Sequence, residues 1–118
     1  MEQGDAIKEI RCVGPLNLNR QTKKANTVFK TELILDGKEF DALDMMAARE
    51  GEPLAFEQLY AAVWHAEDGQ DGREAARSGL DNITRQVKEA GDGFMWISRT
   101  PEAGYIFQTR WGHNRRTW

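Results

Sequence analysis

The chain has 118 residues, a net charge of −3, a single cysteine and 40% hydrophobic residues, which is enough for one domain with a core of its own. No stretch approaches the roughly 18 continuous apolar residues of a membrane span, "MEQGDAIKEI" lacks the apolar core of a secretory signal, and lone Cys12 cannot form an internal disulfide; a cytoplasmic protein without a membrane partner is expected. Charge is uneven, with +2 over residues 1–38, −8 over 39–103 and +3 over 104–118, so any basic surface must be assembled from the two ends, and the basic stripe of a generic nucleic-acid binder is missing from the middle.

From Ile10 to Leu35 short alternating segments follow one another: "IRCV", "LNLN", a polar turn-rich run "RQTKKANT", then "VFKTELIL". Period-two alternation of branched residues predicts three or four antiparallel strands. Asp36 stands where it can cap a helix whose stripe is Phe40, Leu43, Met46 and Ala47, and "EGEP" ends that helix. Leu54, Phe56, Leu59, Tyr60, Val63 and Trp64 predict a second, shorter helix with a weak start, since Ala55 occupies the cap position. After the acidic loop "HAEDGQDG", residues 72–91 give a third helix, with Ala76, Leu80, Ile83, Val87 and Ala90 on one narrow seam. "FMWIS", "RTPEA" and "GYIFQTRW" then read as a hairpin. Strands, three helices and a hairpin in that order indicate an α+β domain.

The segment "EFDALDMMAAREGEPLAFEQLYAAVW", the third helix with Leu80, Ile83 and Val87, and the closing "ISRTPEAGYIF" resemble the OmpR/PhoB-type winged helix-turn-helix, the effector domain of bacterial two-component response regulators. The resemblance covers residues 10–111 and implies an N-terminal antiparallel β-sheet (10–35), a three-helix core (36–91) and a C-terminal β-hairpin wing (94–111), with residues 1–9 as an arm or linker and 112–118 as a basic tail. It implies double-stranded DNA as partner, the third helix in the major groove, the wing on the adjacent minor groove, and a homodimer on tandem half-sites. Contacts with a receiver domain, through the N-terminal sheet, and with RNA polymerase are implied as well. No receiver domain is present in the 118 residues, so the resemblance makes the chain an excised effector domain or a freestanding relative. It departs from the family in thinner basic character on the third helix and in Pro101 or Glu102 where the wing usually carries a basic residue; Arg99 and Thr100 stay nearby.

With the seam inward, the opposite face carries Glu74, Arg77, Ser78, Asp81, Asn82, Arg85, Lys88 and Glu89, three positive charges against three negative. Two readings stay open. In one, Asn82 pairs with adenine, Arg85 with guanine, Ser78 donates or accepts, Asp81 accepts from a cytosine amino group, and Gly79 lets the helix backbone approach DNA closely, at about 1–3 kcal/mol of discrimination per good bidentate pair. In the other, the face is a solvated surface laced by the i, i+4 pairs Arg77–Asp81 and Arg85–Glu89, and the domain is a protein-interaction or dimerisation module, for which an exposed Phe56 would be a hint. Phosphate contacts are expected from Arg73, Lys88, Arg99, Arg110 and the tail residues Arg115, Arg116 and Trp118. Trp64, Trp96, Trp111, Tyr105 and Phe107 are expected in the core. His65, His113 and Cys12 have no metal-ligand spacing, no phosphate loop or nucleophile–base set is recognisable, and neither a cofactor nor an enzymatic activity is expected.

Overall fold

A computed structural model describes residues 10–64, 69–101 and 104–110. Four strands, β1 (Ile10–Val13), β2 (Leu16–Asn19), β3 (Lys24–Thr27) and β4 (Glu32–Leu33), form an antiparallel meander in chain order. Alternation buries Leu16 and Leu18 of β2 opposite Thr27 and Ala25 of β3. The register departs from the expected one: β3 lies in "KANT", inside the run expected to turn, whereas Val28–Lys30, expected to open a strand, form the turn. Buried Thr27 causes this. Its hydroxyl accepts from the amides of Phe29 (3.2 Å) and Thr31 (3.4 Å), and Lys30 adopts a left-handed φ of 68°, leaving Val28 and Phe29 exposed.

Helix α1 (Gly37–Ala48) starts at the expected cap. Asp36 Oδ1 accepts from the Glu39 amide at 2.8 Å, and Glu39 Oε1 accepts from the Asp36 amide at 3.0 Å, so two otherwise unpaired donors are satisfied reciprocally. The stripe Phe40, Leu43, Met46 and Ala47 is buried. Asp44 and Asp41, beside it, hold Arg11 of β1 and Lys23 of the β2–β3 turn at 2.7 Å each, tying helix to sheet.

Helix α2 (Phe56–Leu59) runs on as a π turn, Tyr60–Trp64. Ala55 is its cap and has no side-chain acceptor, so only the return half of a capping box forms, with Gln58 Oε1 accepting from the Ala55 amide at 2.8 Å. Leu54, expected inside this helix, lies before it and exchanges two 2.8 Å backbone hydrogen bonds with Tyr105. Helix α3 (Gly69–Gly91) begins three residues ahead of the expected 72. The hairpin β5 (Met95–Thr100) and β6 (Gly104–Thr109) pairs Met95 with Thr109 at its base and Thr100 with Gly104 at its tip. Gly104 has φ +95°, and a Cβ there would run into the Leu54 carbonyl, so the close approach of hairpin to Leu54 requires glycine.

Sheet, helices and hairpin close on one core: Ala76, Leu80, Ile83, Val87 and Ala90 of α3 pack with Phe40 and Leu43 of α1, Leu59 and Trp64 of the second helix, and Met95 and Phe107 of the hairpin. Trp64, Tyr105 and Phe107 are buried as expected, Trp96 is half-buried, and no helix among the described residues is long and apolar enough to cross a membrane. The architecture is the expected sheet, three helices and hairpin.

Gly79 is corrected by this packing. It does not face outward toward a ligand: it is buried, and a Cβ there would stand 2.8 Å from Trp64 Cζ2 and 3.3 Å from Glu39 Cγ. In Gly79→Ala the gain in helix propensity, up to about 1 kcal/mol, opposes an overpacking cost of about 1–3 kcal/mol against an indole that is 4% exposed. A net loss of about 1 kcal/mol is expected in urea unfolding; a stabilised variant would show that Trp64 has room to retreat.

Candidate nucleic-acid interface

The seam sets the rotation of α3. At roughly 100° per residue, Ser78 and Arg85 lie opposite the seam, Arg77, Asp81 and Lys88 fall on one flank, and Asn82 and Gln86 on the other. The two flanks meet different neighbours. One faces α2 and the hairpin tip; the other faces β4 and the start of α1.

On the first flank, Arg73 forks onto Glu57 of α2 (2.7 and 3.0 Å) and lies over the Tyr60 ring at 4.8 Å. Its hydrogen bond holds the Glu57 carboxyl below its ordinary pKa, and Glu57 in turn raises that of Arg73. Arg73, expected at a phosphate, here joins α3 to α2. Phe56, whose exposure would have hinted at a protein contact, is half-buried, stacked on Tyr60 with centroids 5.9 Å apart, and covered by the Arg77 guanidinium at 4.7 Å. The expected Arg77–Asp81 pair is replaced: Asp81 Oδ1 accepts from Arg99 Nη1 of β5 at 3.1 Å. The Tyr105 hydroxyl, and after it Asp81, raise the Arg99 pKa. Arg77, Asp81, Arg99 and Thr100 consequently line one cleft of about 670 Å³, floored by Phe56 and Tyr105.

On the second flank, Asn82, expected to meet a base, is half-buried. Its Nδ2 donates to Glu39 Oε1 (3.1 Å) and to the Ile34 carbonyl (3.5 Å), while its Oδ1 accepts from Arg85 Nη2 (2.6 Å) and Gln86 Nε2 (3.2 Å). All four hydrogen-bonding positions of the amide are filled. Gln86 mimics a neighbouring strand, with Oε1 accepting from the Ile34 amide at 2.7 Å and Nε2 donating to the Ile34 carbonyl at 2.6 Å. The guanidinium of Arg85 is therefore steadied by Asn82, whereas its expected pair with Glu89 is long, at 3.8 Å.

Ser78, Arg85 and Lys88 are exposed along the outer face, about 15 Å from first to last at helical rise. Arg110 stands apart, since the hairpin register puts it at the base, against the Trp96 ring at 5.7 Å, and Arg99 near the tip. The tail from Trp111 onward, with Arg115, Arg116 and Trp118, lies outside the described residues, as do His65 and His113. Sequence reasoning missed Glu57, Glu39 and Gln86 as partners of the site. Only Glu39 carried a local signal, three residues after a capping Asp.

No protein-family model matches the chain, and no curated protein matches it in sequence. Solved structures match its fold. The DNA-binding domain of CpxR from E. coli aligns with a TM-score of 0.63 at 24% identity, over 85% of this chain and 96% of that one. The DNA-binding domain of Klebsiella pneumoniae RstA, solved in complex with the RstA box, gives 0.62 at 15% identity, over 85% and 97%. DrrB, an OmpR/PhoB homologue from Thermotoga maritima, gives 0.66 at 21% identity, over 85% of this chain and 44% of that one. The chain has the winged helix-turn-helix fold of these domains.

Two predictions follow from the flanks. Gln86→Ala strips the Ile34 amide of its acceptor and leaves the Ile34 carbonyl only the 3.5 Å contact from Asn82, so protection of the Ile34 amide against hydrogen exchange should be lost with about 1–2 kcal/mol of stability; undiminished protection would show that the Gln86 clamp is not formed in solution. The lowered Glu57 pKa predicts an acid-side effect. The folded value lies below the unfolded one, so the pair's contribution is complete at neutral pH and disappears as pH falls through the folded value. In Arg73→Met the Glu57 carboxyl should titrate back toward the ordinary range by NMR; an unmoved midpoint would rule out the fork.

Proposed function

We propose that this chain is a sequence-specific DNA-binding domain of a bacterial, cytoplasmic transcription regulator of the response-regulator type. Helix α3 enters the major groove, and the hairpin tip lies along the adjacent minor groove. The observation that carries this reading is the continuity of the outer face of α3 with the hairpin tip: Asp81 and Arg99 join across 3.1 Å, so that Arg77, Asp81, Arg99 and Thr100 share one cleft. The fold is also that of a domain solved on its DNA box. Arg85, outermost and steadied by Asn82, reads guanine; Ser78 makes an adaptable base contact; Arg77, Lys88, Arg99, Thr100 and Arg110 serve phosphates. Asn82 and Arg73 act from behind, the first by orienting Arg85 and the second by fixing α3 on α2. Residues 10–111 form the DNA-binding unit, flanked by 1–9 and the basic 112–118, and two copies occupy tandem half-sites. Contacts to a receiver domain or RNA polymerase would use surfaces away from this face.

One observation favours a second reading, an interaction module with weak or no DNA binding: Arg73, Arg85 and Arg99 each have a carboxylate partner, and the face stays nearly neutral.

Selection from a random duplex pool, followed by anisotropy titration across salt, separates the two. Four cationic phosphate contacts predict a slope of log K against log salt of about −3 to −4 per protomer. Arg85→Ala should lose roughly 5- to 150-fold in discrimination at one base pair, the equivalent of about 1–3 kcal/mol. No duplex binding even at low salt would sink the DNA reading and leave the interaction module.

A further inference from the structure

The pairing of Asp81 with Arg99 has a consequence for how the domain treats DNA of the wrong sequence. The two side chains come from different elements, α3 and β5, and meet at the mouth of the cleft 18 residues apart in the chain. Both are open to solvent, Arg99 at 61% and Asp81 at 66%, so the contact can be exchanged for another anion without uncovering a buried charge. Arg99 is also the cation nearest the hairpin tip among the described residues, where a backbone phosphate would arrive. A phosphate taken by this guanidinium comes within a few ångströms of the Asp81 carboxylate, and two anions so close repel unless one of them leaves or finds a donor of its own.

We infer that Asp81 is a built-in competitor for phosphate at Arg99, which suppresses binding to duplexes in general and is relieved where the major groove offers Asp81 a cytosine amino group. This rests on the DNA reading and deepens it. On a random duplex the arriving phosphate must displace Asp81, which is then left with only Arg77, one turn back in the same cleft and seated over Phe56, as a cation on its own helix. On a duplex with cytosine at the facing position, Asp81 exchanges Arg99 for the N4 amino donor while Arg99 exchanges Asp81 for phosphate, and each charge stays satisfied. The carboxylate therefore lowers affinity everywhere and lowers it least on the proper site. Specificity is raised by weakening the competitors.

The test uses the full chain, a random-sequence duplex and a duplex selected by the wild type. Asp81→Asn keeps an oxygen that can accept from Arg99 and removes the charge. Its affinity for the random duplex should rise about three- to tenfold at low salt, with a salt slope steeper by up to about 0.9, as for one added phosphate contact. The ratio of selected to random affinity should narrow. Arg99→Gln should abolish that gain when combined with Asp81→Asn, and Glu74→Gln, which removes a carboxylate from the same face but not from Arg99, should give a smaller gain. Random-duplex binding by Asp81→Asn that is unchanged or weaker would make the pair a mere staple of hairpin to helix and overturn the inference. So would an equal gain in the Arg99→Gln background or from Glu74→Gln, since that would be bulk charge alone. If neither wild type nor any variant binds duplex at low salt, the DNA reading itself falls and takes this inference with it; binding by the wild type without the Asp81→Asn gain overturns this inference alone.

Discussion

The rotation of α3 about its own axis governs the rest of the surface, and the burial of Leu80, Ile83 and Val87 sets it. All three are inaccessible to solvent. Turning the helix by one residue, roughly 100°, would bring Asp81 or Thr84 into the core and put a leucine or isoleucine in water, at about 1.5–3 kcal/mol for each large side chain moved. A seam this narrow needs support at its edges. Gly79 supplies it on one side, where the missing Cβ lets Trp64 close to van der Waals contact; Ala76 and Ala90 let α3 approach its neighbours along the seam itself. Glycine costs helix stability, and here the cost is offset by packing.

Once rotation is set, polar chemistry divides by flank. The flank toward β4 is a closed network: Glu39 accepts from the Asp36 amide at the cap of α1 and holds Asn82, Asn82 holds Arg85, and Gln86 pairs with the backbone of Ile34. Ile34 sits just past the short edge strand β4, so Gln86 satisfies backbone groups that would otherwise be an open edge. The flank toward the hairpin is open and made of exchangeable contacts between exposed charges and rings. The domain is thus fixed on the side where it must hold its shape and adaptable on the side where a ligand would arrive.

Residues whose effect is local were legible in the sequence. The 3.6-residue period gave the seam of α3, Asp36 marked the start of α1, and turn residues bracketed the hairpin, so the fold class and order of elements could be written down. β3 escaped because its inward positions, Ala25 and Thr27, are small or polar, and hydrophobic alternation is silent where a sheet packs through such residues. Leu54 escaped because a single bridge to Tyr105, 51 positions away, has no periodicity. For the site, a helical projection gives each side chain an angle but not the element waiting there. Asn82 and Asp81 stand at similar angles on opposite sides of the seam; one meets Glu39 and the other Arg99. In the sequence Gly79 reads as room for DNA rather than for packing for the same reason, since nothing near it in sequence announces Trp64.

A nearly neutral outer face looks poorly suited to DNA only if affinity is the quantity that matters. Phosphate attraction is common to every sequence, and recognition depends on the difference between sequences. A face that holds its cations against carboxylates gives up the common part. What it keeps is a guanidinium at Arg85 that is steadied by a 2.6 Å bond to Asn82 while its side chain stays 61% exposed. A long side chain already confined to one direction loses less rotamer freedom on meeting a base than a free one. On the proposed DNA reading it would also lose more at a wrong base, because swinging aside breaks its hydrogen bond to Asn82. On that same reading, the closed flank and the neutral outer face would serve the same end, since rigidity would sharpen the penalty for a mismatch and weak general attraction would leave that penalty uncompensated.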